Sequence, residues 1–482
     1  MRRFLPGVAA ALTISACTPS APEQQIVNDA AAALGGRDRI AAVKTLVIEG
    51  DGTNGNLGQD LTPEATGEKF MVTGYRRAMD FAAHRARIEQ TRTPNFAYFQ
   101  GTAPQTQALG IDGEIAYNVA ANGTAARAAN AVAKDRRAEF YHHPLALVQA
   151  ALDSSSTLSN ARAAGNERVV DVTTAYGGRL TLAIDGASKL PTRVVSMADN
   201  VNLGDVAIET TFGDYQDAGG LKLPSRLTTK TDNYTTADIH VTKQTLDAPT
   251  GDLAAPAAAA SAPPIAGPPP AVVSSEELAP GVWFLAGQSH HSVLVEFGDH
   301  LTLIEAPQND ARTLAVIEKA RSLRPGKPLT QVINTHHHFD HSGGIRAAVS
   351  EGLGVVTHKG NAAFFQSAAT RAHTIAPDAL AKNPKPLKLE PVGDQMELKD
   401  ASRTLVLYPL AGNGHSDTML MAYLPQDRLL VEVDLFSPGS AAQPYATSLL
   451  DAIRKHNLKV DRIVPLHGGI AKLEELAKVG GQ

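Results

Sequence analysis

The sequence predicts an antiparallel β-rich domain over residues 26–246 and an α/β domain over residues 272–482. Strand-like runs dominate the first region, and a Pro- and Ala-rich segment at 247–271 interrupts the chain. The residues beyond that segment are numerous enough for one α/β domain. The composition, with 43% hydrophobic and 19% charged residues over 482 positions, is that of a globular protein and excludes wholesale disorder.

Charge and cysteine content narrow the function classes further. The 44 basic and 49 acidic residues give a net charge of −5, so no electrostatic feature favours nucleic acid as a partner. The chain has one cysteine, Cys17, which excludes both an internal disulfide and a cysteine-built zinc site. Twelve of the 16 histidines lie beyond Gly281, so imidazole chemistry is expected in the C-terminal region.

The N-terminal 16 residues have the pattern of a secretory signal peptide, with a basic head and a short run of apolar and small residues. The run ends at Ile14-Ser15-Ala16-Cys17, which resembles the bacterial lipobox. That resemblance implies lipidation of the Cys17 thiol and anchoring at the bacterial cell envelope, facing the periplasm, at the outer rather than the inner membrane. Residues 17–25 then form a polar tether. An ordinary signal peptide with an incidental cysteine is the alternative.

The first domain is predicted to be an antiparallel meander of strands with a few helices. Helical spacing predicts a helix over Ile26–Leu34 that stops at Gly35-Gly36, and a second helix near Pro144–Leu152. From Lys44 to Val241 most of the pattern is strand-like, and Asp112-Gly113 between two such runs indicates a hairpin.

The stretch from Asp214 to Pro224 loosely resembles a turn in the half-barrel folds of periplasmic lipoprotein-carrier proteins. It carries no catalytic residue. The resemblance implies a concave sheet that could bind lipid or a hydrophobic substrate, and a structural or substrate-presenting accessory domain is the alternative. The following segment, 247–271, contains seven prolines and a dense run of alanines, so it is predicted to be a semi-rigid, partly extended linker.

The chemistry-bearing motif follows a buried-strand pattern at Val332–Thr335 and reads His336-His337-His338-Phe339-Asp340-His341. At an extended strand end, His336 and His338 point the same way and His337 points opposite. Asp340 and His341 lie on the next turn and can face a second point nearby. The spacing fits two metal ions, and imidazole and carboxylate ligands suit zinc. A histidine-rich polar turn is the alternative, but the pattern arises by chance in roughly one such chain in a thousand.

This motif resembles that of the metallo-β-lactamase superfamily, over about residues 275–477. The resemblance implies an αββα sandwich, with further ligands where later apolar runs end. It implies that one metal is bound by His336, His338 and His415. A second metal would be bound by Asp340, His341 and His467, and Asp434 would bridge the two. Glu432, two residues earlier on the same strand, is the rival of Asp434. Glu305 stands where the family usually has an aspartate that supports the metal loop.

Four further residues are candidate substrate contacts. His290 and His291 lie on a hairpin loop that overhangs the metals in this fold, with solvent exposure as the alternative. Phe364 and Phe365 lie in an amphipathic segment, 361–372, where the family has a substrate-shaping insert, and core packing is the alternative. His373 could reach the site from that insert.

Together these features predict a binuclear metallo-hydrolase with two Zn²⁺ per chain, iron or manganese remaining open. A metal-bound hydroxide would attack an ester, lactone or amide carbonyl, with Asp340 orienting the water. The expected partners are a small-molecule or lipid-like substrate and the membrane through the lipid anchor, and not nucleic acid. A β-lactamase proper, or a lipid- or lipoprotein-binding module with a non-catalytic metal site, are the alternatives.

Overall fold

The computed structural model describes residues 21–64, 67–98, 101–176, 178–440 and 442–480. The predicted signal peptide, Cys17 and the start of the predicted tether lie outside the described residues. Among the helices in the described ranges, none is both long enough and apolar enough to cross a bilayer.

The N-terminal domain is one antiparallel sheet with helices packed on it. Its helices are α1 (Pro22–Leu34), α2 (Arg37–Ala42), α3 (Asn130–Phe140) and α4 (Pro144–Leu152). Its thirteen strands are β1 (Thr45–Gly55), β2 (Lys69–Asp80), β3 (Arg85–Pro94), β4 (Gln105–Asp112), β5 (Ile115–Val119), β6 (Ala125–Arg127), β7 (Thr157–Ala164), β8 (Glu167–Thr173), β9 (Arg179–Asp185), β10 (Pro191–Asn200), β11 (Gly204–Ala218), β12 (Leu221–Thr231) and β13 (Tyr234–Leu246). The strand order is β6-β5-β4-β3-β2-β1-β13-β12-β11-β10-β9-β8-β7. The predicted β-rich antiparallel domain is confirmed, because all neighbouring strands of this sheet pair antiparallel and every pair except β1–β13 is consecutive in sequence.

Local sequence features explain where these elements begin and end. Helix α1 begins at Pro22 rather than Ile26, so it takes up part of the predicted tether, because proline fits the first helical position, where its missing N–H is not needed. The helix ends at Gly35, whose φ of 128° is strained for a residue with a side chain. The β4–β5 hairpin turns at the predicted Asp112-Gly113, where Gly113 has a φ of 55°.

The Pro- and Ala-rich segment is less extended than its composition predicts. It contains the short helix α5 (Ala257–Ser261), and Leu253 and Ala259 are buried. The Tyr117 hydroxyl donates to the Leu253 carbonyl at 3.0 Å. The segment therefore lies along the N-terminal sheet, because its few apolar side chains find space between sheet residues.

The C-terminal domain consists of two sheets packed face to face. The first sheet holds β14 (Ser274–Ala279), β15 (Val282–Ala286), β16 (Ser292–Glu296), β17 (Leu301–Ile304), β18 (Leu329–Ile333), β19 (Gly354–His358) and β20 (Leu389–Val392) in that order. The second holds β21 (Met396–Lys399), β22 (Thr404–Leu410), β23 (Met419–Leu424), β24 (Leu429–Glu432), β25 (Arg462–Pro465) and β26 (Ala471–Lys472). One apolar core contains side chains of both sheets, such as Phe284 and Val295 from the first and Leu407 and Met421 from the second.

Helices cover both outer faces of this sandwich. The helices of the domain are α6 (Asp310–Leu323), α7 (Phe339–Ser342), α8 (Ile345–Ser350), α9 (Ala362–Thr370), α10 (Ala379–Lys382), α11 (Ala446–Lys455) and α12 (Leu473–Gly480). Helices α6 and α8 share a core with the first sheet, and α11 and α12 pack on the second. The arrangement is the αββα sandwich that the motif implied.

Candidate metal centre

Four strand ends bring the predicted metal ligands to one edge of the sandwich. The motif His336 to His341 follows β18, and three loops carry the other ligands after β22, β24 and β25. His336, His338 and His341 are fully buried, so these imidazoles are fixed in place before any ion binds. Asn334 closes the loop, because its amide donates to the His341 carbonyl at 3.3 Å.

The ligand atoms form two groups, each with all its atoms within 4.8 Å of one another. We call them the first group (His336, His338, His415, Asp434) and the second group (His290, Asp340, His341, His467). The structure thus brings together all seven residues that the sequence predicted as ligands. It adds His290, which the sequence predicted only as a substrate contact.

Asp434 lies between the two groups. Its Oδ2 is 3.1 Å from His415 Nε2 and 3.0 Å from His341 Nε2, and its Oδ1 is 3.1 Å from His467 Nε2. The residue follows the end of β24 with a φ of 59°, a left-handed conformation in which an aspartate is tolerated better than most side chains. One carboxylate therefore contacts imidazoles of both groups, as a bridging ligand must.

Hydrogen bonds on the far side of each ring fix which nitrogen has a free lone pair. His338 Nε2 lies 2.9 Å from the Asp60 carbonyl, and His467 Nδ1 lies 2.8 Å from the Ser289 carbonyl. A carbonyl only accepts, so these nitrogens carry the proton and the opposite nitrogens, His338 Nδ1 and His467 Nε2, carry lone pairs. His338 Nδ1 and His336 Nε2 are buried and make no hydrogen bond among the described residues. Such orphaned lone pairs fit a metal ion.

Glu305 fixes two further rings at once. It is fully buried, and its Oε2 lies 3.2 Å from His341 Nδ1 and accepts from the Thr335 hydroxyl at 2.6 Å. Because Thr335 uses its only proton on Glu305, its oxygen must accept from His336 Nδ1, 3.1 Å away. Glu305 thus directs the lone pairs of His341 and, through Thr335, His336 into the site. The longer side chain supports the loop where the family usually has aspartate.

The protonation states of His336, Asp434 and His341 also favour the binding of a metal cation at this centre. Burial, then the nearby His338, lowers the pKa of His336 well below its usual value, so its imidazole is neutral. Burial opposes ionisation of Asp434, but His341 and His467 outweigh it and hold its pKa well below the usual range. Burial also opposes protonation of His341, yet Asp434 and Asp340 raise its pKa well above normal. The same carboxylates would attract a metal cation.

Glu432, the alternative candidate to Asp434 for the bridging ligand, bonds to the backbone of the next loop and not to the metal ligands. It is buried, and its Oε2 accepts from the backbone N–H groups of Leu435 and Phe436, both at 3.2 Å. Burial, followed by the negative charge of Asp434, raises its pKa well above the usual value. Glu432 therefore holds the loop that presents Asp434.

His290 supports Asp340. Its Nδ1 accepts from Gln308 Nε2 at 3.1 Å, so its Nε2 carries the proton and faces Asp340 Oδ2 at 3.0 Å. Burial lowers the pKa of His290, and Asp340 only partly offsets that effect. In this tautomer His290 donates to a ligand carboxylate rather than offering a lone pair to a metal.

The N-terminal domain reaches into the centre through residues 56–61, which we call the insertion loop. Gln59 Nε2 donates to Asp340 Oδ1 at 2.8 Å, and the Asp60 carbonyl holds His338 as described. Backbone bonds fasten the loop, with Phe339 N–H donating to the Gly58 carbonyl at 3.1 Å. Sequence reasoning missed this loop, since its sequence, Asn-Leu-Gly-Gln-Asp-Leu, carries no signal of a contact with the distant metal ligands.

A cavity of about 430 Å³ opens over the centre, with Asp340, His415, Asp434 and His467 in its wall. We call it the site cavity. Tyr445 also lines it, its ring centroid 5.1 Å from that of His415 and its hydroxyl donating to the Ala97 carbonyl at 2.5 Å. The N-terminal domain contributes Asn56, Gln59, Glu68, Phe96, Ala97 and Tyr98 to the wall, and the C-terminal domain also contributes Ser437, Pro438, Ser440 and Gly468.

His291, Phe364 and Phe365, which the sequence predicted as substrate contacts, do not line the site cavity. The His291 ring packs edge-on against Phe284, and its Nδ1 accepts from the Gly287 N–H at 3.2 Å, so it does not line the site cavity. Phe365 is buried in the core under the first sheet. Phe364 packs against Phe339, with ring centroids 6.2 Å apart. The amphipathic pattern there reflects core packing, which such a pattern cannot distinguish from a pocket wall.

His373 does not reach the site, as the sequence suggested it could. Its Nδ1 lies 3.7 Å from Asp378 Oδ2, and a side chain at Gly204 of the N-terminal domain would collide with its ring. The segment after α9 turns toward the N-terminal sheet, where the Asp205 N–H donates to the Ala372 carbonyl at 2.8 Å. It therefore contributes to the contact between the domains.

One family model matches the part of the chain that carries the predicted ligands. Residues 285–467 match the family model described as the metallo-beta-lactamase superfamily. No curated protein matches the chain significantly. Similar solved structures include the metallo-β-lactamase FIM-1 from Pseudomonas aeruginosa in its mono-zinc form, at 20% identity over 44% of this chain and 96% of that chain, with a TM-score of 0.33. A metallo-β-lactamase from Hirschia baltica is 18% identical over 43% of this chain and 96% of its own, with a TM-score of 0.34. The family match falls on the sandwich that carries the full ligand set, so the C-terminal domain has the metallo-beta-lactamase fold.

Proposed function

We propose that this protein is a binuclear zinc hydrolase that acts on an ester, lactone or amide carbonyl. The position of Asp434 supports this most directly, because its carboxylate contacts imidazoles of both ligand groups. Imidazole and carboxylate donors without thiolate suit zinc. Bound zinc would supply a water activated near neutral pH and a Lewis acid for the carbonyl oxygen.

The chain's own residues hold and orient the reactants. Asp340 is fixed by Gln59 at Oδ1 and by His290 at Oδ2, so its carboxylate is held at a defined position to orient an attacking water. Burial opposes its ionisation, but the charge of His341 and the hydrogen bond from His290 keep the pKa of Asp340 far below its usual range. Tyr445 and the insertion loop exclude bulk water from one side.

The test is hydrolysis by zinc-loaded full-length protein of a panel of esters, lactones, β-lactams and phosphodiesters, with metal content measured in parallel. We expect two zinc ions per chain, carbonyl hydrolysis that chelation abolishes and zinc restores, and no phosphodiester cleavage. The double variant His336→Ala/His338→Ala should lose metal and turnover together, while His337→Gln, on the opposite face, should keep both. Full zinc content without turnover of any substrate would favour the binding-module alternative.

We also propose that the protein is lipid-anchored through Cys17 at the cell envelope. The lipobox-like Ile14–Cys17 and the absence of any other cysteine in the sequence support this. Fractionation of the native host should place the wild type with membranes, extractable by detergent but not by salt. Cys17→Ala should abolish lipid labelling and release or mislocalise the protein. A soluble, unlabelled wild type that begins at another residue would overturn the proposal.

A further inference from the structure

The wall that the N-terminal domain contributes to the site cavity is aromatic. Phe96 and Tyr98 line the cavity and pack edge-to-face on each other and on Phe70, with ring centroids 5.6, 5.2 and 5.9 Å apart. Three mutually packed rings form a surface that needs little rearrangement when a ligand binds. This surface belongs to the opposite domain from the metal ligands, so it is suited to contact a part of the substrate remote from the reacting carbonyl.

The same wall carries Glu68, whose carboxyl group forms no ion pair with a lysine or arginine of the described residues. Glu68 lines the cavity, and the groups that act on it are burial, a hydrogen bond from Asn56 and the charge of Asp60, which is also a carboxyl. Burial is the largest of these effects and raises the pKa of Glu68 to about 7. A carboxyl that is desolvated in this way gains strongly from a bound cation.

Lysine and arginine side chains are missing from the described wall of the cavity. No lysine or arginine of the described ranges lines it. The internal positions outside those ranges carry no charge either, being Ala65, Thr66, Phe99, Gln100, Gly177 and Ala441. An anionic group placed beside Glu68 would therefore meet a carboxyl group with no lysine or arginine of the described wall to balance it, whereas a cationic group there would meet both a carboxyl group and aromatic rings.

We propose that the substrate of this centre carries a cationic ammonium group, which binds between Glu68 and the rings of Phe96 and Tyr98 while its carbonyl faces the metal ligands. Ammonium ions are attracted to the faces of aromatic rings, and a neighbouring carboxylate adds to that attraction. The inference rests on the proposed hydrolase function and specifies its substrate class. It also gives the N-terminal domain a role in substrate selection.

The test compares matched p-nitrophenyl esters with the zinc-loaded protein. The acyl groups are 4-(trimethylammonio)butanoate, its neutral isostere 5,5-dimethylhexanoate, and the half-ester of adipate. A second pair, the phenylacetate esters of choline and of 3,3-dimethylbutanol, places the charge on the alcohol side. We expect kcat/KM for the cationic ester to exceed that of the neutral isostere by about tenfold in at least one pair, and the adipate ester to be the poorest.

Variants assign the preference to Glu68. Glu68→Gln should remove most of the cationic preference, measured as the ratio of kcat/KM for the cationic ester to kcat/KM for its neutral isostere, and Glu68→Lys should favour the adipate ester. Glu64→Gln is the matched control, because Glu64 is exposed on the same segment and does not line the cavity. An equal rate for cationic and neutral esters in both pairs, or a preference that Glu68→Gln leaves intact, would overturn the inference.

A binding measurement separates this inference from the proposed hydrolysis. Calorimetric titration of the full-length protein with benzyltrimethylammonium should show saturable binding that Glu68→Gln weakens by about tenfold, and 3-phenylpropionate should not bind. If no ester is hydrolysed but this binding is found, the hydrolase proposal fails and the cation site stands. If esters are hydrolysed without charge preference and the cation does not bind, the cation site fails and the hydrolase proposal stands.

Discussion

Asp434→Ala is expected to lose both metal ions together and to lower kcat/KM by about a thousandfold or more. The reason is that Asp434 contacts His415 of the first group and both His341 and His467 of the second at 3.0 to 3.1 Å. Removal of a ligand of one site alone would leave the other site filled. Loss of a shared carboxylate damages both sites and the transition-state stabilisation that depends on them. Elemental analysis and steady-state kinetics measure the two effects.

Glu432→Gln is the matched comparison, and it should keep both ions and much of the rate. Glu432 accepts from two backbone N–H groups of the Asp434 loop, and its pKa is raised well above normal. The amide is a close mimic of a neutral carboxyl group and retains an oxygen acceptor. A mild loss, at most about the 10–100-fold typical of a residue that orients a metal ligand, is expected. If Glu432→Gln loses both metals and Asp434→Ala loses neither, the ligand assignment of this strand end is wrong.

The ligand set can be predicted because the motif from His336 to His341 resembles that of the metallo-β-lactamase superfamily, which implies further ligands as distant as His467. The apolar run before each of these ligands is consistent with that implication, since strands of a sandwich end along common edges. The sequence pattern also predicts the order of elements, since strand, turn and linker signals are local. It cannot decide whether Phe364 and Phe365 face the core or a pocket, because both surroundings select an apolar helix face.

The role of the N-terminal domain could not be predicted in this way. The Asp60 carbonyl orients His338 across 278 positions of sequence, and Gln59 holds Asp340 across 281. Such contacts depend on how two domains pack against each other, which hydrophobic periodicity and turn signals do not report. The contact made by the Asp60 backbone carbonyl cannot be predicted from residue type, since every residue supplies a backbone carbonyl. The candidate metal centre is therefore built by both domains, although every predicted ligand belongs to one.

Glu305→Ala is expected to weaken metal binding at both sites, although Glu305 is not among the predicted ligands. Its carboxyl accepts from Thr335 and faces His341 Nδ1, so its loss frees the tautomers of His336 and His341 together. Each ring then offers its lone pair to the site only part of the time. We expect about a 10–100-fold loss of affinity at each site, measured by competition with a chelator. A lower melting temperature should accompany it, because buried donors lose their acceptor.

Glu305 contacts His341 directly and His336 through the Thr335 hydroxyl, and Thr335→Val should remove only the second connection. The valine removes the hydroxyl that connects Glu305 to His336, but it leaves the contact between Glu305 and His341 in place. The first site should therefore lose affinity while the second keeps it, so that one zinc ion per chain dissociates more readily than the other. Glu305→Gln should be milder than Glu305→Ala, because its amide oxygen can still accept from Thr335. Glu305 has a φ of 80°, and alanine and glutamine carry the same backbone strain there, so the comparison reports the carboxyl alone. If Thr335→Val weakens both sites equally, His336 is oriented by some other group and the relay through Thr335 is wrong.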